Sequence, residues 1–161
     1  MEHSQKISFR KTRKGRVSKM VTETYLREDI SSGLKKSQES LEQPGILDLE
    51  SDNEKFVYII DTTTFLSQID LIENCPILNN VVVLQTVLEE IRLKNQTTFE
   101  SLRNLITAET HRKFFVFNNE FFKATYVEKQ PNETFAARNE RAVIAAAEWY
   151  TKHCAQYNIE V

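Results

Sequence analysis

Between residues 56 and 155, short apolar runs alternate with stretches whose apolar residues recur every three or four positions. The runs are FVYII (56–60), VVVL (81–84) and FFVF (114–117). They are rich in β-branched and aromatic residues, the pattern of strands buried on both faces. After the first run, Phe65, Leu66, Ile69 and Ile72 fall at helical spacing. After the second, Thr86-x-x-Glu89 reads as a capping box that opens another helix. Residues 97–110 predict a third, with Phe99, Leu102, Leu105 and Ile106 on one side. A long helix is expected from about Phe135 to Cys154, with alanines at 142, 145, 146 and 147 allowing close approach to a sheet. IEV, at the C-terminus, looks like the opening of a further strand.

Strands that alternate with helices predict an α/β fold, a central parallel sheet flanked by helices in three layers, with the last strand incomplete. The N-terminal part reads differently. Residues 17–28 are a short element, strand or helix, and residues 31–54 are marked by Ser, Glu, Gly and Pro without steady periodicity. The expected division is an arm over 1–30, an acidic flexible linker over 31–54 and a folded domain over 55–161.

Charge sharpens that division. Residues 1–28 hold eight Lys or Arg against three Asp or Glu, a net of +5, which leaves −7 for the rest of a chain of net charge −2. Residues 37–54 add six acids and no base. A basic arm beside an acidic body suggests a polyanion or an acidic protein surface as partner, although a solvated tail has the same composition. No apolar run approaches the roughly 20 residues of a membrane span, so no membrane partner is expected. Cys75 and Cys154 fit no metal spacing and read as buried or half-buried thiols in a reducing compartment, cytosol or nucleus.

In open parallel sheets, functional groups gather beyond the carboxyl ends of the strands. Asp61 follows the first run, Glu90 is expected in the first turn of the next helix, and Glu140 in the opening turns of the long one. Converging carboxylates repel unless a cation lies among them, and hard oxygen ligands select Mg²⁺ or Mn²⁺. Taken singly, each acid is equally a cap or a helix-dipole charge.

Six strings in order add to this reading: YLREDI (25–30), VYIIDTTTFLSQIDLIE (57–73), VVVLQTVLEEIR (81–92), FFVFNNEF (114–121), YVEKQPNETFAARNERA (126–142) and EWYTKH (148–153). The series resembles the N-terminal PIN domain of the RNase-II-like catalytic subunit of the eukaryotic exosome. The resemblance implies a metal-dependent endoribonuclease acting on single-stranded RNA, with Mn²⁺ or Mg²⁺ held by acids. Asp61 matches the first acid, Glu90 the second, and Glu140, in RNERA, stands where the family usually has Asp. It also implies that Lys11, Arg13, Lys14 and Arg16 belong to an element that docks on the exosome core ring, in nucleus or cytoplasm. RNA phosphate is the other candidate for these four residues, as it is for Arg138 and Arg141, which alternatively pair with Glu140.

This sequence departs from the family pattern in several places. Asp-Thr-Asn at the first acid reads Asp61-Thr62-Thr63, the third acid is longer by one methylene, and the fourth acid belongs on a strand after IEV. The cysteine cluster expected after YLREDI is replaced by ISSGLKKSQES, so no zinc is expected. These departures support an alternative, a degenerate PIN module that tethers without cutting. A sheet lacking its last strand is also expected to be marginally stable or to self-associate. His3, His111 and His153 read as surface residues, and Trp149 and Tyr150 as core.

Overall fold

A computed structural model describes residues 3–34, 47, 56–156 and 161. Its folded body is a three-stranded parallel sheet in the order β3 (Tyr58–Ile59), β4 (Asn80–Leu84), β5 (Lys113–Phe117). Helix α1 (Thr62–Asn74) connects β3 to β4. The pair α2 (Gln85–Lys94) and α3 (Gln96–Thr107) connects β4 to β5, and α4 (Phe135–Ala155) follows β5. This is the α/β architecture with helix-flanked parallel sheet expected from the alternating pattern.

Only the central strand is buried along its whole length. Every residue of β4 is buried, whereas β3 is half-buried and β5 mixed. The apolar runs at 56–60 and 114–117 therefore overstate burial on both faces. A strand with one paired neighbour has less of its surface covered than one between two. Val81–Leu84 pack with Phe65, Ile72, Val87, Ile91 and Leu102 into one core. Each such side chain contributes about 1.5–3 kcal/mol when fully buried.

The helix starts follow from local chemistry. Asp61 caps α1, accepting from the Thr64 N–H at 3.0 Å, and Asn95 caps α3, accepting from the Thr98 N–H at 3.1 Å. Thr134 caps α4 through the Ala137 N–H at 3.2 Å. The capping box expected at Thr86 does not form. Helix α2 starts directly from the strand end, with Leu84 in the cap position and no side-chain bond. Thr86 turns inward, where its hydroxyl donates to Glu120 and accepts from Asn119, and Glu89 pairs with Arg92 at 2.5 Å. A tertiary network has taken the hydroxyl that the local motif would have used.

Helix α4 lays Ala142 and Ala146 against the core, and Tyr150 and Cys154 below them are fully buried. Phe117 stacks on Trp149 at 5.5 Å between centroids and meets Tyr150 edge-on at 5.0 Å. Burial pushes the Cys154 thiol up to about 11, so it is an inert core group. His111 is exposed, while His153 stacks on Trp149 at 4.6 Å.

The element of open type at 17–28 is a strand. β1 (His3–Lys11) and β2 (Val17–Tyr25) form an antiparallel hairpin, registered from His3 opposite Tyr25 to Lys11 opposite Val17. Gly15, at φ 76°, closes its turn. Past the hairpin the chain joins the body. Arg27 exchanges backbone bonds with Phe121 and Lys123 (2.7 and 2.9 Å), and the Tyr150 hydroxyl donates to the Ser32 carbonyl at 2.7 Å. Gly33, at φ 75°, lies where a Cβ would stand 2.6 Å from the Phe115 ring. Residues 31–34 and the buried Leu47 thus pack on the body, although the sequence placed them in a linker. The rest of that linker and the incipient strand at 159–160 lie outside the described residues.

Candidate active site

Asp61 stands two residues beyond the end of β3, where the extended chain turns into α1 (φ −79°, ψ 167°). Its cap bond from Thr64 holds the carboxyl below the usual aspartate range, against a smaller opposing effect of burial. The next residue, Thr62, is buried and turns its hydroxyl to Glu90, donating to Oε2 at 3.0 Å. This bond links the first residue of α1, next in the chain to Asp61, to Glu90 on α2. Because α2 starts at Gln85, Glu90 lies in its second turn and not in the first turn expected from sequence.

Glu90 is 12% exposed and has donors on both oxygens. Oε2 accepts from Thr62 and, at 3.3 Å, from the Asn139 amide; Oε1 meets the Lys94 ammonium at 2.6 Å. Burial works to raise its pKa. The hydrogen bonds from Lys94, Thr62 and Asn139, with the charge of Lys94, outweigh that and hold it below the ordinary glutamate range.

Helix α4 presents Asn139 to Glu90. Glu140, one residue and about 100° further round the helix, is exposed. Among the described residues, no group of three Asp, Glu, His or Cys side chains is placed to hold a metal ion. Two carboxylates with an amide between elements are nevertheless a hard-oxygen donor set. The Asn139 Oδ1 is buried and has no hydrogen-bond partner. One or two carboxylates completed by water and substrate phosphate is the usual protein share of a Mg²⁺ site, and Asp61 and Glu90 have the donor chemistry for that share.

Arg138 and Arg141 flank these residues, and neither pairs with Glu140. Arg138 clamps Glu120 with two bonds (2.5 and 2.6 Å) and also donates to the Val127 carbonyl. Arg141 clamps Glu133 (2.7 and 2.8 Å) and donates to the Glu128 carbonyl. Both guanidiniums are engaged by the loop before α4 in this structure. Glu120 in turn accepts from Thr86, whose N–H and hydroxyl are both bound by Asn119. Lys11, Arg13, Lys14 and Arg16 stand exposed at the hairpin turn.

Sequence reasoning missed Thr62, Lys94, Asn139, Asn119 and Glu120. The i,i+4 spacing of Glu90 and Lys94 was a readable signal. Asn139 was hidden beside a more conspicuous acid. Thr63, which stands where the family pattern has the Asn of Asp-Thr-Asn, is exposed, and its carbonyl accepts from Ser67 at 2.8 Å; the neighbouring Thr62 supports the second acid.

A family model for the PIN domain matches residues 58–160. The exosome complex exonuclease RRP44 of Homo sapiens is 37% identical over 157 residues, which cover 92% of this chain and 16% of the relative. The RRP44 homolog A of Arabidopsis thaliana is 36% identical over 148 residues, 92% of this chain and 15% of the relative. The exosome complex exonuclease dis3 of Schizosaccharomyces pombe is 34% identical over 173 residues, 99% of this chain and 18% of the relative. The chain thus spans less than a fifth of the length of these relatives. Among solved structures, the T. brucei RRP44 PIN domain superposes with a TM-score of 0.57 at 30% identity, over 63% of this chain and 55% of that one. The family match takes in well over half of the sequence and all of the parallel sheet, and the chain belongs to the PIN domain family.

Proposed function

We propose that this chain is an endoribonuclease module of exosome-linked RNA processing and decay, cleaving single-stranded RNA with the help of Mg²⁺ or Mn²⁺. The observation that carries the reading is the Thr62–Glu90 bond, which ties the residue next to Asp61 to the acid on α2. Asp61 and Glu90 would hold the ion, and Glu140, from the exposed face of α4, would join on substrate binding. A bound divalent ion supplies an activated water and neutralises charge on the phosphate. The chain's part is positional. The α1 cap fixes Asp61, Thr62 and Asn139 fix Glu90, and the Arg138 clamp fixes the opening turns of α4. The basic hairpin with Lys11, Arg13, Lys14 and Arg16 would dock on the exosome core ring, in nucleus or cytoplasm.

A second reading, a PIN module that tethers without cutting, is favoured by one feature. Glu90 is already neutralised by Lys94, and no third acid stands with it among the described residues. A circular single-stranded RNA separates the two, because a circle has no ends and only an endonuclease opens it. Mn²⁺-dependent opening that disappears in Asp61→Asn is the expected result. An intact circle after incubation with folded wild-type chain leaves the tether.

A further inference from the structure

The three donors on Glu90 are not equivalent. Thr62 and Asn139 are 7% and 2% exposed and are locked between packed elements. Lys94 is the last residue of α2, and its side chain is 53% exposed. It alone can swing into water without disturbing the core, and it alone carries charge. Among the described residues its ammonium is also the sole donor at Oε1, while Oε2 holds the two neutral donors.

We propose that Lys94 is a tethered counter-cation, standing at Glu90 where a divalent ion would bind, keeping the carboxylate in place without metal and leaving it when metal arrives. The inference rests on the metal-dependent reading above and deepens it, because it makes Lys94 the residue that sets the site's metal affinity. An ammonium and a divalent ion cannot share one carboxylate oxygen at contact distance without strong repulsion. Metal binding at Glu90 therefore includes the cost of releasing Lys94. An ordinary surface Glu–Lys pair one helical turn apart would stabilise α2 slightly and leave metal affinity untouched.

The test is Mn²⁺ affinity by isothermal titration, with electron paramagnetic resonance of free Mn²⁺ as a second readout, on the full chain. Wild type is compared with Lys94→Met, Lys94→Arg and Asp61→Asn, each first checked for an unchanged circular dichroism spectrum. Lys94→Met is expected to bind Mn²⁺ about fivefold more tightly, the order expected when the ion no longer has to displace an attraction between two unit charges at about 4 Å in a water-like medium. Lys94→Arg keeps the charge and should stay within about threefold of wild type, while Asp61→Asn should lose the site. Should Lys94→Met also fail to fold, Lys94→Gln serves in its place, with the same expected direction. Equal or weaker binding by a folded charge-removal variant, beside measurable binding by wild type, overturns the role of Lys94 alone. No Mn²⁺ bound by any variant overturns the metal-dependent reading and this inference with it.

Discussion

Four consecutive residues at the start of α4 separate two kinds of polar region. Arg138 and Arg141 each grip a carboxylate with two bonds, and those carboxylates belong to the loop leading into the helix. Asn139 reaches Glu90 through one long amide bond and keeps its own carbonyl oxygen unpartnered, and Glu140 is exposed. One region is saturated and the other is held with capacity to spare. A saturated region fixes geometry, because every donor has its acceptor and moving one residue leaves another stranded. A region with an orphaned oxygen and a replaceable ammonium can accept something new. The helical step of about 100° per residue lets one short string serve both purposes.

Breaking the saturated side should have the largest effect. Glu120→Ala leaves the Arg138 guanidinium, whose side chain is 11% exposed, without its bidentate partner, and removes the acceptor for Thr86. Removing one member of a buried pair costs on the order of 3–5 kcal/mol, reduced here because Glu120 is 23% exposed. A loss of about 3 kcal/mol in urea unfolding is expected, and a loss below about 1 kcal/mol would show that the clamp is not what holds α4. Thr62→Val comes next. It keeps the side-chain shape but removes the donor to Glu90. A loss of about 1–2 kcal/mol is expected, the cost of a missing hydrogen bond to a charged acceptor, together with weaker Mn²⁺ binding as Glu90 loses its tie to the start of α1 beside Asp61.

The saturated side was also the less legible one. Alternation of apolar runs with helical periodicity showed the parallel sheet and its helices, because burial of β4 and the face of α3 is written into every residue they contain. The place of Asp61 just past β3 was legible from the end of the apolar run, whereas Glu90 was assigned to the right helix but one turn too early. The Thr86–Asn119–Glu120–Arg138 network was not, since it joins residues 33 and 18 positions apart whose partners no local pattern names. The same cause misplaced the Thr86 cap. A capping box is a local prior, and a long-range acceptor on Glu120 displaced it. The anchoring of residues 31–34 was hidden for a related reason. Its signal is a single glycine whose missing side chain makes room for Phe115, and a lone glycine in a polar stretch reads as linker.

Acid pH sharpens the comparison at a smaller scale. The Arg141 guanidinium, with the Gln130 N–H, holds the Glu133 carboxyl down at about 2 against an ordinary value of 4.5. A carboxyl whose folded pKa is depressed adds stability that is complete above the unfolded value and is lost as pH falls toward the folded one. The contribution of Glu133 should therefore be intact at pH 7 and fade between about pH 4.5 and 2. Asp61 and Glu90 are shifted in the same direction, so the wild-type melt alone does not isolate it. The difference between wild type and Glu133→Gln does. That difference in melting temperature should shrink steadily from pH 5 to pH 2.5, and a constant difference would mean that the pair contributes geometry without charge.

The smallest expected effect on folding is the most telling for function. Asp61→Asn changes one oxygen for an amide at a helix N-cap, and Asn caps as well as Asp does. The bond from the Thr64 N–H can form to the amide oxygen, so α1 keeps its start and β3 its exit. What is lost is a negative charge beside the dipole of α1, worth typically 0.3–1 kcal/mol at an exposed site. Unfolding free energy should therefore fall by less than about 1 kcal/mol, while Mn²⁺ binding and any opening of a circular RNA disappear. Such a split, with the fold kept and the chemistry gone, is what a side chain held for a ligand produces. A split in the other direction, with stability falling by several kcal/mol and metal binding unchanged, would make Asp61 a structural cap like Asn95 and Thr134. The acid end of the sheet would then serve the fold in the same way as the arginine clamps beside it.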